Sequence, residues 1–585
     1  MGDAAAGAAI GWGERLTCEG VGMNTETTLR ISRDLATGSR QMVAAKHPWA
    51  VKAGNDVLDK GGNAVDAAVA TAFAISVVEP WMSGLGGVGF MTIQRADGER
   101  HVIDYFGQAP AAATPDMYEL TAEFGHSTVG FGGVKDEANA FGPLSVAVPG
   151  MVRGMELALE RFGTKTLAEA VAPAVSFAEE GFPVDWYRGM LLASQQDVIR
   201  RDAETERIFL KDGKPPAPLF GQPPPRIVQR DLADTLRAIG ERGADGFYQG
   251  PVAKRIAAHM RQIGGLITED DLAGYEAKVV APLVLPYRDV ELTLLPYQAG
   301  GVTIGAALTI LNGFDLFATG FNTAATLHLI AEASRRGFAD RFAYVGDPAF
   351  VDTDWERLTS AEYAAERRAE IDPERASSPT AGSGIAATKA NLAAVGANEG
   401  CTTHLSVVDA EGTMVSVTQT LTLIFGSAVT VPGTGVLLND SMNLFDPKPG
   451  SANEIQPGKR PASSMAHVIA VRDGVPVLAV GAPGGRRIMD TCLQMTIDAI
   501  DFGMDIAAAC AAPLIDCAGP ELLVDDRIPA ATRERLRAMG HDVVDVEVSF
   551  SPRGFASPTG VAVDPATGIR YGGADPFGAG VAAGH

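Results

Sequence analysis

The chain has 585 residues, enough for one large core or two to three domains, and its 46% hydrophobic and 20% charged content is ordinary for a globular protein. A formal net charge of −23 and an isoelectric point near 4.8 argue against a nucleic-acid surface, which needs clustered Lys and Arg to neutralise phosphates. The five cysteines (Cys18, Cys401, Cys492, Cys510, Cys517) are odd in number and form no C-x-x-C pair, which disfavours a disulfide framework or structural zinc. Met1 to Leu16 has no basic segment followed by an apolar run, and no apolar stretch reaches about 18 residues, so the chain reads as cytoplasmic, without a membrane span.

From Pro48 to Val78 the apolar spacing is helical. Gly61-Gly62-Asn63 ends one helix, Asn63 or Asp66 opens the next, and Glu79-Pro80 stops it. Residues 89–94 and 101–106 alternate about Ala96-Asp97-Gly98 and read as a hairpin. Residues 150–240 read as mostly helical, with a proline-rich surface loop from Lys214 to Pro225 and a further helical block from Leu232 to Ile263. Strands follow at Val279–Val284 and Val290–Leu295, then helices at Val302–Leu311 and Ala324–Phe338. Residues 374–400 are rich in Ala, Ser, Thr and Gly and are expected to form a mobile loop. Strand patterns resume at Thr403–Val408, Thr413–Leu421, Gly435–Leu438, Met465–Val471 and Val475–Val480, before a helix from Ile488 to Ile500. Helical blocks alternating with hairpins predict layers of helix and sheet in one integrated domain.

Gly84-Leu85-Gly86-Gly87-Val88-Gly89 matches G-x-G-x-x-G, but a dinucleotide site needs that run after a strand and before a helix. Here the order is reversed, and the glycines read as a tight helix-to-strand connection. The sequence holds no P-loop, no G-x-S-x-G elbow and no H-E-x-x-H. His328, on an apolar helix face, is expected to be a satisfied core residue.

The informative segment is Cys401-Thr402-Thr403-His404, where the small-residue loop meets a strand. Folding the following hairpin about Glu411 sets Thr420 opposite Thr402 on one face of a sheet. That pairing suits either a plain Thr–Thr cross-strand contact or a nucleophile with a helper. Matching runs extend along most of the chain: His47-Pro48, Gly61 to Ala68, Gly86 to Phe90, Val148-Pro149-Gly150, Gly264 to Thr268, Ala339-Asp340-Arg341, Pro432-Gly433, Lys459-Arg460-Pro461, Ser463-Ser464-Met465 and Pro483-Gly484-Gly485. In these runs the chain resembles the γ-glutamyltransferase family of N-terminal-nucleophile hydrolases.

The resemblance implies an α+β fold, a four-layer αββα sandwich. It also implies self-cleavage between Cys401 and Thr402, giving a large fragment 1–401 and a small fragment 402–585 that stay packed together. Thr402 would then be the nucleophile, Thr420 the residue that orients it, and Gly484 and Gly485 the oxyanion donors. The partner implied is a small-molecule amide, with no metal or organic cofactor, nucleic acid or membrane.

The sequence departs from the glutamyl-specific pattern around the substrate. Phe106 stands where the carboxylate-binding Arg is expected and Leu444 where the ammonium-binding Asp is expected. Ser441 and Thr422 replace further polar groups, while Ser463 and Ser464 are retained. Losing two charge-assisted hydrogen-bond sets of about 1.5–3 kcal/mol each implies at least roughly a hundredfold loss for γ-glutamyl substrates. Phe106 and Leu444 instead suggest an apolar acyl pocket, and the short 445–459 segment suggests an open one. These features resemble the acylase-type branch. The expected activity is therefore an N-terminal-threonine acylase or amidohydrolase. The alternatives are a glutathione hydrolase with an altered clamp, or an unprocessed homologue acting as a binding protein.

Overall fold

The computed structural model describes residues 32–121, 131–383, 401–548 and 554–585. Fourteen strands build its two large sheets: Ala36–Gly38 (β1), Met42–Ala45 (β2), Val88–Gln94 (β3), Arg100–Tyr105 (β4), Lys278–Val280 (β5), Leu283–Tyr287 (β6), Val290–Leu294 (β7), Thr403–Val408 (β8), Met414–Thr420 (β9), Val468–Arg472 (β10), Val475–Gly481 (β11), Thr559–Val563 (β12), Arg570–Ala574 (β13) and Val581–Gly584 (β14). One sheet has the order β14-β2-β8-β9-β3-β4-β5, and the other β1-β13-β12-β11-β10-β7-β6. Both are built from antiparallel pairs. Six helices matter below: Pro48–Asp59 (α1), Ala64–Val78 (α2), Trp186–Ser194 (α3), Gly301–Leu311 (α4), Ala324–Tyr344 (α5) and Ile488–Ile500 (α6).

The sheets face each other, with α1 and α2 against the outer face of the first and α4 and α6 against the second. This is the expected αββα sandwich, within one compact unit, Arg33–His585. Side-chain alternation decides what goes where. On β8 and β9, Leu405, Val407, Val415 and Val417 join the helix-facing core, while Val408 and Met414 join Met42, Ala44, Ile469, Ala479 and Val561 between the sheets. Helix α2 is buried along its whole length, so its apolar residues surround it instead of forming a stripe.

Asn63 caps α2 in a capping box with Asp66. The glycine run after α2 is the tight connection into β3: a Cβ on Gly86 would lie 2.3 Å from the Leu437 carbonyl, and one on Gly87 2.7 Å from that of Thr420. Two expectations need correcting. The strand expected at 279–284 is broken by Ala281-Pro282 into β5 and β6, which belong to different sheets, because proline cannot donate to a ladder. The loop expected at 374–400 is pinned at its start. Ala376 N–H donates to Met539 O (2.7 Å), Ser377 N–H to Glu332 (2.9 Å) and Gly382 N–H to Asp340 (2.8 Å). Residues 384–400 lie outside the described residues.

Candidate active site

The β8–β9 register is Thr403↔Gln419 through Val408↔Met414, so Thr402 and Thr420 meet one step beyond the ladder, as the hairpin spacing predicts. Both point between the sheets and both are buried. The Thr402 hydroxyl contacts the carbonyl oxygen of Cys401 and lies 3.2 Å from Thr420 Oγ1. Thr420 Oγ1 accepts the N–H of Thr422 (2.8 Å) and donates to the same Cys401 carbonyl at 2.6 Å. Accepting from Thr422 leaves the Thr420 proton free to polarise that carbonyl. Thr422 makes this possible with φ 97, an unusual conformation for a β-branched residue. Its carbonyl receives the Cys401 N–H (3.0 Å), which fixes the backbone of the residue just before the scissile bond.

Cys401 itself is no rival nucleophile. Burial pushes its thiol well above the ordinary range, and its Sγ lies against Trp81 O (3.1 Å) and Met82 Sδ (2.9 Å).

Strand β11 crosses the same region from the opposite sheet. Ala479 shares the inter-sheet cluster with Val408 and Met414, Gly481 lies against the ring of His404, two residues from Thr402, and the Pro483-Gly484-Gly485 turn follows directly. The turn leads through a short 3-10 segment, Gly485–Arg487, into α6. The first N–H groups of a helix have no partner within it, which suits them to an oxyanion. Gly484 has φ 149, and a Cβ there would meet Ala556 Cβ at 2.5 Å.

The residues named for substrate binding divide into two groups. Thr422 and Ser441 share a hydroxyl contact (2.9 Å) next to Thr420. Phe106 and Leu444 share an apolar cluster with Val88, Phe90, Leu295 and Met465, where Phe106 stacks on Phe90 (5.1 Å between centroids). Asp104, two residues before Phe106, is bound by Arg460 Nη1 (2.6 Å), so that guanidinium is already engaged. Leu444 also lines a small cavity of about 20 Å3 together with Phe131, Arg341, Phe342, Val345 and Asn453. Ser463 Oγ accepts the Met465 N–H (3.2 Å), whereas Ser464 Oγ is buried with no hydrogen-bond partner among the described residues. The site is closed in the uncut chain: Thr402, Thr420, Thr422, Ser441, Leu444, Ser463 and Ser464 are all buried. Within the short 445–459 segment, Asn453 donates to Leu444 O (2.7 Å) and accepts the Ala462 N–H (2.8 Å).

Several neighbours were not singled out by the sequence reading. Asp440 accepts the Leu423 N–H (2.9 Å), and burial raises its carboxyl well above the usual range. Behind the threonines a hydrogen-bonded chain crosses between the sheets: Ser406 Oγ, His404, Thr418 Oγ1, His467 and Thr92 Oγ1, each step 2.8–2.9 Å. Burial keeps both imidazoles neutral, His467 down to about 3. Glu79, whose place in the sequence marks only a helix stop, accepts the Thr403 hydroxyl at 3.1 Å. The signal that could have found it is a carboxylate at the end of a wholly apolar helix.

His328, Glu332 and His541 come close enough to hold a cation. The His rings bond each other (2.8 Å), His328 Nε2 meets Asp372 O (2.8 Å), and Glu332 binds Arg336 (2.8 Å) and Ser377. These groups satisfy one another, as expected for His328 in a core.

The family profile described as Gamma-glutamyltranspeptidase matches residues 50–585. The chain belongs to the gamma-glutamyltranspeptidase family. Membership makes it an enzyme of the hydrolase and acyltransferase type. Among curated relatives, the "Acylase ACY 1 proenzyme" of Pseudomonas sp. (strain SE83) is 40% identical over 532 residues, 91% of either chain. The "Glutathione hydrolase proenzyme" of Pseudomonas sp. (strain A14) is 41% identical over 81% of this chain and 80% of its own length. Among solved structures, cephalosporin acylase from Bacillus halodurans superposes with a TM-score of 0.84 at 29% identity, covering 96% of this chain and 99% of that one. The gamma-glutamyltranspeptidase of Helicobacter pylori gives 0.53 at 33% identity over 60% of this chain and 94% of its own. The sandwich is thus the N-terminal-nucleophile hydrolase fold of this family.

Proposed function

We propose that the chain is the precursor of an N-terminal-threonine acylase that cuts itself before Thr402 and then carries acyl groups on that residue. The observation that carries this reading is the convergence of two hydroxyls, Thr402 and Thr420, on the Cys401 carbonyl. In self-cleavage, Thr402 Oγ bonds to the Cys401 carbonyl carbon, its proton passes to the amide nitrogen, and the C–N bond breaks to leave an ester and a free amine. Water then adds to the ester carbon, the Oγ–C bond breaks, and a proton of that water passes to Oγ. The products are Met1–Cys401 and Thr402–His585, about 42 and about 19 kDa if the 61.0 kDa chain divides by length.

In the mature enzyme, the Thr402 α-amine, with a reference pKa of about 7.7–8.0, takes the hydroxyl proton at neutral pH, so nucleophile and base sit on one residue. Thr420 orients the Thr402 hydroxyl. The Gly484 and Gly485 N–H groups stabilise the tetrahedral oxyanion of the substrate amide. Phe106 and Leu444 bring no charge to a glutamate, and together with the acylase relatives they support an acyl group other than free glutamate. Thr422, Ser441, Ser463 and Ser464 supply the hydroxyls around it.

A second reading, γ-glutamyl hydrolysis with an altered clamp, is favoured by the 41% identity to a glutathione hydrolase proenzyme. The deciding experiment incubates the mature protein with γ-glutamyl-p-nitroanilide and, in parallel, with neutral and dicarboxylic mono-anilides, and reads acyl adducts on Thr402 by mass spectrometry. Acylation by the non-glutamyl set at least about a hundredfold faster supports the proposal. Fast γ-glutamyl turnover that is lost in Thr402→Ala would establish the second reading. A single full-length band after prolonged incubation would refute self-cleavage.

A further inference from the structure

Glu79 is a buried carboxyl that the chemistry above does not use. It ends α2, and the turn it begins is fastened to Cys401 and to the segment that follows Thr420. Cys401 Sγ meets Trp81 O (3.1 Å), Leu421 N–H donates to Met82 O (3.0 Å) and Phe425 N–H to Trp81 O (2.9 Å). On one side of Thr402, Glu79 accepts the Thr403 hydroxyl (3.1 Å); on the other, its charge is felt at the Cys401 thiol. The carboxyl therefore brackets the residue that changes charge when the chain is cut. An uncut amide nitrogen is neutral, whereas the freed α-amine is a cation at its ordinary pKa.

We propose that Glu79 is a positioning residue for self-cleavage: held against Thr403, its carboxylate stabilises the ammonium that the N-to-O shift leaves on Thr402. This inference rests on the reading that the chain is cut before Thr402. In balance, the shift moves the Thr402 hydroxyl proton to the departing nitrogen, and the resulting amine takes one further proton from solvent. Glu79 exchanges no bond; it supplies the opposite charge that a buried cation needs.

The other charges facing Glu79 leave room for this role. Arg188 on α3 is bound through Nη1 to Asp185, and its Nε and Nη2 have no partner among the described residues. Lys46, after β2, bonds Ser557 O (2.9 Å). Arg188 and Lys46 draw the Glu79 carboxyl toward ionisation and Asp185 opposes it, but burial is the larger effect and leaves it at about 7. The group is therefore largely ionised only above neutrality, and cleavage depends on pH through it.

The test is a time course of freshly expressed precursor on denaturing gels from pH 5.5 to 8.5, for wild type, Glu79→Gln, Glu79→Asp and Thr403→Val. Wild-type cleavage should quicken as pH rises through about 7. Glu79→Gln should lose that dependence and be at least about tenfold slower at pH 8, a factor equivalent to 1.4 kcal/mol, with Glu79→Asp recovering part of the rate. In mature enzyme, Glu79→Gln should move the acid limb of turnover to lower pH, because removing a negative neighbour lowers the amine pKa. Melting of each variant in a Thr402→Ala background separates folding from chemistry; if Glu79→Gln fails to fold, the Asp and Thr403→Val time courses carry the same comparison. Wild-type rates and pH profiles in the variants would overturn the proposal. So would slowing that is equal at every pH and not relieved by Asp. If Thr402→Ala precursor is still cut, the underlying reading fails instead.

Discussion

Replacing Thr420 by Val tests the site most directly, because it keeps the shape and removes one hydroxyl. That hydroxyl donates to the Cys401 carbonyl at 2.6 Å and accepts the Thr422 N–H at 2.8 Å, so two separate costs follow. Losing a donor at a developing oxyanion costs about 2.7–4 kcal/mol of barrier, which slows self-cleavage by roughly 10²–10³. Leaving the buried Thr422 N–H without an acceptor costs about 1–3 kcal/mol of stability. The Thr422 backbone, already strained at φ 97, has then lost the acceptor its N–H faces. The assay is a gel time course of precursor cleavage beside thermal melting of the same variant in a Thr402→Ala background. Thr420→Ser should recover most of both losses. If Thr420→Val is cut at the wild-type rate, the hydroxyl does not polarise the scissile carbonyl, and the reasoning from geometry to mechanism is wrong.

Gly484→Ala should reduce kcat of the mature enzyme by about tenfold or more while changing KM less, since the added methyl meets Ala556 and shifts the turn that presents the N–H groups. Steady-state kinetics check it, and unchanged kcat would remove this turn from the oxyanion site. Acid should destabilise the fold through His467. Its folded pKa, about 3, lies below the unfolded value of about 6.5, so the unfolded chain takes up a proton first. The stability it contributes is complete above pH 6.5 and declines at up to about 1.36 kcal/mol per pH unit as pH falls toward 3. His467→Gln should flatten the fall in melting temperature between pH 6.5 and 4, and an unaltered slope would refute the assignment.

The sequence by itself determined the chain's local order and the pairing of Thr402 with Thr420. Asn63 and Asp66 state the start of α2, and the alternation about Glu411 sets Thr402 across from Thr420, because capping and strand pairing depend on residues close in sequence. It also placed Phe106 and Leu444 where a glutamate clamp was expected. What it could not show was their joint burial in one cluster, since they lie 338 positions apart, a separation that no periodicity spans. The split at Ala281-Pro282 between two sheets was likewise settled by packing of distant elements. Glu79 shows the same limit most clearly. In sequence it only ends a helix; the tertiary fold carries it beneath Thr403, 324 residues away, where burial and one hydroxyl give a carboxyl its chemistry.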